Sequence, residues 1–287
     1  MPTFAKTKDP IPTTDEVNKP PGQGAPALGT PTVQEHGGLP AALMAEMEKD
    51  AGRGVSTDQA DNLVPLIYVL QAQSPQVLKK NENYIEGAEA GCIWLRNADD
   101  PIVDGEKGCI FQPCHFAHGL WIEWGAERGS GFVARHTARP AEAKLGTITD
   151  DRGNQRQAWV MPKGTIVIET RQVTGLVHTA AGGRLPYVIP FSGTGHTVAK
   201  GWNSDIVNHP LAPGKQSAAF HHLYRLKTRY RTNKLGEWYL LDPQRQGWVQ
   251  TAEDIALGRS LCAAVESGEK QAAPEADTGA AASDPPF

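Results

Sequence analysis

Between Leu63 and Leu241 the apolar residues fall in short runs of period two, separated by turns rich in Gly, Pro and Asn. That spacing commits most of the chain to strands. Residues 63–70 are apolar at both alternations and predict a strand buried on both faces, with Pro65 at an edge or a bulge. Residues 91–95, 109–113, 120–124, 158–160, 165–172, 187–191, 222–230 and 237–241 continue the series. The polar, Gly- and Arg-rich stretch 127–154 reads as a long excursion between strands. Helical spacing is confined to residues 41–49, to 197–207 and to a segment that Thr251 caps and Gly268 ends. The last of these presents Ile255, Leu257, Leu261 and Val265 to the core. The fold expected is mainly β: an OB-fold-like small barrel with long loops, one or two helices and disordered termini.

Composition divides the chain further. Residues 1–40 are dense in Pro, Gly and Thr, with Phe4 the only aromatic, and form a disordered arm; residues 41–267 form the domain; residues 268–287 form an acidic, disordered tail. Residues 1–50 hold four lysines against seven carboxylates, and residues 263–287 hold one against five. Of a chain total of −4 the middle therefore carries +3. A basic middle with acidic ends suits a polyanion binder, although acidic ends also serve solubility alone. No apolar run reaches membrane-spanning length and no signal peptide is present, so a cytoplasmic protein is expected, without membrane contact. Four cysteines are too few and too unevenly spaced to staple such a chain.

The most informative segment is residues 224–231. On a strand, Arg225, Lys227, Arg229 and Arg231 share one face while Tyr224, Leu226 and Tyr230 share the other, and Lys234 follows. Cations about 7 Å apart along an extended backbone match the spacing of phosphates on an extended single strand. A basic edge strand that discourages aggregation is the competing explanation. Seven tryptophans offer stacking platforms. Trp121 or Trp124, followed by Arg128, Phe132 and Arg135, and Trp202 beside Lys200, are the candidates, against core packing for each.

Cys109, Cys114, His115 and His118 have the chemistry of zinc ligands but lack a second paired knuckle, so no metal or other cofactor is expected. Phosphate-loop, nucleophile-elbow and zincin motifs are absent. Asp99-Asp100 and Asp150-Asp151 are paired carboxylates in predicted turns, a weak basis for a nuclease, and no catalytic residue is assigned. Gly193-Thr194-Gly195-His196 opens the helix at 197 and offers a phosphate its N-terminus, again weakly.

The chain ends in Ser283-Asp284-Pro285-Pro286-Phe287: a carboxylate, a stiff Pro-Pro step, one ring and a terminal carboxylate. This tip resembles that of bacterial single-stranded DNA-binding proteins, with one Asp where those carry several acidic residues. The body is similar to phage-encoded replication proteins with a divergent OB-fold. Glu123-Trp124 leading to Gly129-Ser130-Gly131-Phe132-Val133, and Lys200-Gly201-Trp202-Asn203-Ser204, look like segments of phage proteins. The resemblance implies single-stranded DNA binding in phage replication and recombination. It also implies recruitment of replication or repair proteins through Asp284, Pro285, Pro286 and Phe287. Homo-oligomerisation is compatible with it. The alternative is a phage adaptor or structural protein whose β-domain binds a protein partner.

Overall fold

A computed structural model describes Lys49 and residues 63–125, 131–149, 155–234 and 236–273. By contact density the chain divides into Met1–Val55, of which only Lys49 is described, and Ser56–Phe287, which holds every described strand and helix. The short helix expected at 41–49 thus falls outside the described residues, Lys49 excepted, as do the N-terminal arm and the end of the tail.

Among the described residues alternating apolar residues give thirteen strands. They are β1 (Leu63–Val64), β2 (Ile67–Val69), β3 (Ile93–Leu95), β4 (Ile102–Val103), β5 (Cys109–Trp124), β6 (Phe132–His136) and β7 (Lys144–Thr149). β8 (Gln155–Val160), β9 (Ile166–His178), β10 (Arg184–Phe191), β11 (His222–Asn233), β12 (Gly236–Trp248) and β13 (Gln271–Ala272) follow. The α-helices among the described residues are α1 (Gly195–Val207) and α2 (Ala252–Glu266). The main sheet runs β12-β11-β5-β9-β8-β7, with β10 also on β9 and β6 also on β5. A small sheet, β2-β3-β4, and a parallel β1-β13 pair stand beside it. The mainly β expectation with two helices holds, but the sheets do not close into a barrel.

The core lies where α1 and the small sheet cover the middle of the main sheet. Trp202 is at its centre, with the rings of Phe111, Phe116, Phe191 and Tyr224 at centroid distances of 5.8, 5.7, 6.4 and 5.3 Å. The helical period brings Gly195, Ala199, Trp202 and Ile206 inward together. Beside them His222 is fully buried, its Nε2 2.8 Å from Ser217 Oγ and its ring 4.5 Å from that of Trp248. Burial, with the cation Arg245 nearby, pushes His222 down to about 4, so it is neutral.

α2 is fastened by polar contacts. Its N-cap Thr251 accepts from Asp254 N at 3.1 Å, and Asp254 grips Arg184 through both carboxylate oxygens, at 2.6 and 3.2 Å. Buried Gln112 donates to the carbonyls of Phe220 and Asp254. Gly258 is why the helix comes so close: a Cβ there would meet Gln112 Nε2 and the Phe220 Cβ at 2.7 Å. Leu261 is buried as expected, whereas Leu257 faces solvent and Asp254 and Gly258 take the inward positions instead.

Two sequence expectations change. Residues 109–113 and 120–124 are one strand, because register shifts after Pro113 and after Ala117 absorb the irregular residues without ending the pairing. The excursion at 127–154 contains β6, short and half-buried, and β7, largely exposed, and the many Gly and polar residues around them hide their pairing from a hydrophobic pattern. The interruption at Pro65 is as expected, since it separates β1 from β2. Regular pairing also continues past residue 267, with Gln271 and Ala272 opposite Leu63 and Val64.

Candidate nucleic-acid interface

β11 alternates as its sequence requires: Tyr224 and Leu226 are buried, Arg225 and Lys227 half-buried, Arg229 and Arg231 exposed. Its hairpin with β12 is joined at Asn233–Gly236, with Lys234 exposed at the tip. The register sets Gln244, Asp242, Leu240 and Trp238 opposite Arg225, Lys227, Arg229 and Arg231. Paired residues share a face, so this face carries four cations against the carboxylate of Asp242, flanked by a leucine and a tryptophan. Trp238 was legible in the sequence only as one of seven; the strand register is what places it on the cationic face. Its indole Nε1 is buried without a hydrogen-bond partner among the described residues.

The four cations have different surroundings. Arg225 donates to the Lys107 carbonyl at 3.2 Å, and Arg229 pairs with Asp242. Lys227 and Arg231 have no hydrogen bond or ion pair among the described residues. Burial disfavours the charge on Asp242, but hydrogen bonds from Arg229 and Gln244 and the charge of Arg231 hold its pKa below the ordinary value. The other face of the hairpin is clasped to the small-sheet unit. Gln71 donates to the Tyr239 carbonyl at 3.0 Å and accepts from its N–H at 2.9 Å, and Thr228 donates to the Gly91 carbonyl at 2.6 Å. Gly91, at φ +93°, leaves room for the Tyr239 ring, which a Cβ would strike at 2.6 Å.

Between the hairpin and α1 lies a cleft of about 330 Å3. Arg229, Arg231, Leu240 and Asp242 form one wall, and Val198, Gly201, Trp202 and Asp205 form the other. Asp205 accepts from the Tyr224 hydroxyl at 2.6 Å, a contact that, together with burial of the ring, raises the Tyr224 pKa. Gly201 sits in the interior of α1 with nothing within 4 Å of where a Cβ would stand and no positive φ. An interior helical glycine costs about 1 kcal/mol relative to alanine, and no packing contact here requires it.

The remaining candidates lie elsewhere. Trp202 is 3% exposed and belongs to the core, so it cannot stack on a base from this position, and Lys200 is on the exposed side of the same helix. Trp121, Trp124, Phe132 and Arg135 are near the other end of β5, roughly 30 Å along the strand from its pairing with β11. There Trp121 meets the Trp159 ring edge-on at 6.4 Å, Trp124 stands opposite Phe132, and Arg135 donates to the Ala272 carbonyl at 3.2 Å. Arg128 and the tip residues Asp284, Pro285, Pro286 and Phe287 fall outside the described residues.

That end of β5 also holds a carboxylate absent from the sequence-based candidates. Glu123, 2% exposed, contacts Lys163 at 2.8 Å and His136 at 2.9 Å and accepts from Thr165. Burial works against its ionisation, but these three partners outweigh it and bring its pKa down to about 2. Cys109 and Cys114 are on β5, where burial pushes Cys109 up to about 11 and Cys114 higher still. His115 is half-buried and His118 exposed, and the described residues contain no cluster of three metal-ligating side chains. Asp99 and Asp100 are exposed in a bend, Asp150 and Asp151 lie outside the described residues, and no described helix is long and apolar enough to cross a membrane.

A mainly β domain with a cationic hairpin is the class that the fold and site define. The chain belongs to the Pam3 phage gp34-like protein family, whose model matches residues 34–271. No curated protein and no solved structure matches it.

Proposed function

We propose that this is a single-stranded DNA-binding protein of phage replication and recombination, acting in the host cytoplasm. The observation that carries this reading is the outer face of the β11–β12 hairpin. Lys227 and Arg231 make no hydrogen bond or ion pair among the described residues and lie on the same face as Trp238 and Leu240. Unpaired cations at strand spacing take phosphates, and a ring among them takes a base face without regard to sequence. Arg225 and Arg229 complete the row, and Lys234 extends it at the tip. The acidic tail, ending in Asp284, Pro285, Pro286 and Phe287, recruits a replication or repair protein by offering a ring and carboxylates to a basic-rimmed pocket.

The test is a fluorescence titration with oligo-dT over a range of salt concentrations. Binding that weakens linearly in the logarithm of salt, and retains its strength when residues 284–287 are deleted, is the expected result. A folded protein that ignores every oligonucleotide but captures a protein partner would instead establish the adaptor reading.

A further inference from the structure

The cleft beside the hairpin has a chemistry that the phosphate row does not need. Its walls bring two guanidinium groups, Arg229 and Arg231, and two carboxylates, Asp205 and Asp242, around an apolar interior that includes Val198 and Leu240. A phosphate would be repelled by the carboxylates, and an aliphatic group would leave Arg231 unmatched along with the acceptor capacity that Asp205 and Asp242 keep beyond their bonds to Tyr224 and Arg229. A flat ligand with donors along one edge and acceptors along another satisfies both signs.

We infer that this cleft receives one unstacked guanine base from the bound strand, superimposing a base preference on otherwise sequence-independent binding. The inference rests on the reading of the protein as a DNA binder. Guanine presents O6 and N7 as adjacent acceptors, the pair that an arginine fork meets with two hydrogen bonds. Its N1–H and N2–H groups are adjacent donors, which a carboxylate accepts in the same two-point manner. Adenine presents one donor and one acceptor at the corresponding edge, and thymine has a single acceptor and a methyl group there. The cleft, at about 330 Å3, falls at the small end of the range of roughly 300–1,000 Å3 usual for small-ligand sites.

Two features favour a base over an empty gap. Asp205 is held by the Tyr224 hydroxyl, so a carboxylate is fixed at the wall before anything binds. Gly201 leaves open the space that any other side chain at that position of α1 would begin to fill. Arg231 has no ion-pair partner among the described residues and stands both on the phosphate row and on the cleft wall, so a strand along the row delivers its base to the cleft.

The experiment compares the intact protein and Gly201→Leu in binding dT oligomers with a single central dG, dA, dC or none, at fixed salt, with circular dichroism as a check on folding. Gly201→Leu is chosen because it adds a helix-favouring side chain to open space. The expected result is about five- to tenfold tighter binding of the dG oligomer by the intact protein, abolished in Gly201→Leu while oligo-dT affinity is retained. Asp205→Asn is expected to narrow the dG advantage as well, without changing the oligo-dT salt dependence. Equal binding of all four oligomers, a preference for dA or dC, or a dG preference that survives Gly201→Leu overturns this inference and leaves the DNA reading standing. No binding to any oligomer overturns both.

Discussion

The β11–β12 hairpin and the far end of β5 both set cations beside tryptophans, yet they dispose of the charge in opposite ways. At the far end the charges are taken up within the protein. Lys163 and His136 converge on Glu123, Arg135 reaches the Ala272 carbonyl, and the Arg139 guanidinium lies 3.9 Å from the centre of the Trp159 ring. At the hairpin Asp242 engages Arg229, while Lys227 and Arg231 remain without an ion-pair partner among the described residues. The two regions thus separate cations whose counter-charge the protein supplies from cations that make no ion pair among the described residues.

The comparison breaks most directly at the hairpin. The double variant Lys227→Ala/Arg231→Ala should lose tenfold or more in oligo-dT affinity at low salt. The slope of log affinity against log salt should become shallower by about 1.4, since each phosphate contact on a single strand contributes about 0.7. Its melting temperature should stay near that of the parent, because Arg231 is exposed, Lys227 is half-buried, and neither makes a hydrogen bond or ion pair among the described residues. A full salt slope in the double variant would remove the hairpin from consideration.

At the other end the expected loss is of stability. Glu123→Gln leaves Lys163 and His136 facing a neutral amide. Loss of charge-assisted hydrogen bonds at a buried site costs about 1–3 kcal/mol, which in a domain of this size is a fall of roughly 3–10 °C in thermal midpoint by calorimetry. DNA affinity should be unchanged.

Acid separates the two ends further. The Glu123 pKa falls from 4.5 to about 2 on folding, so the unfolded chain binds the proton more readily. Its contribution is full above about pH 4.5 and is lost as pH falls toward about 2. His222 acts higher: its pKa drops from 6.5 to about 4, so stability declines as pH falls through that window. Thermal midpoints between pH 7 and 2 should show both declines, and Glu123→Gln should flatten the lower one alone. The smallest effect belongs to Arg135→Ala, which should leave oligo-dT affinity within twofold; a larger loss would show that the far end also meets DNA.

Much of this arrangement was legible in the sequence. Period-two runs located most strands, and the alternation through residues 224–231 set buried Tyr224 and Leu226 apart from the four cations, although Tyr230 on the same side as Tyr224 is exposed. Thr251 and Gly268 marked the last helix because capping is a local property. What escaped was whatever depends on partners distant in sequence. Trp202 beside Lys200 read as a stacking platform, but the helical period groups it with Ala199 and Ile206 in the core. Trp238 gained its place opposite Arg231 only through the hairpin register. Glu123 entered only through the Glu123-Trp124 segment, because its partners Lys163 and Thr165 arrive in the connection before β9 some forty residues later.

The amide of Gln71, which bonds both backbone groups of Tyr239, has a consequence for assembly. β12 ends the main sheet, and an end strand is where a second chain adds most readily. At Tyr239 that berth is already taken by a side chain imitating a neighbouring strand. The other end strand, β7, pairs only with β8 among the described residues and carries exposed Leu145. Among the described residues the border on the hairpin side is therefore closed at Tyr239, whereas β7 is bordered by β8 alone and carries Lys144, a charge of the kind that discourages edge pairing.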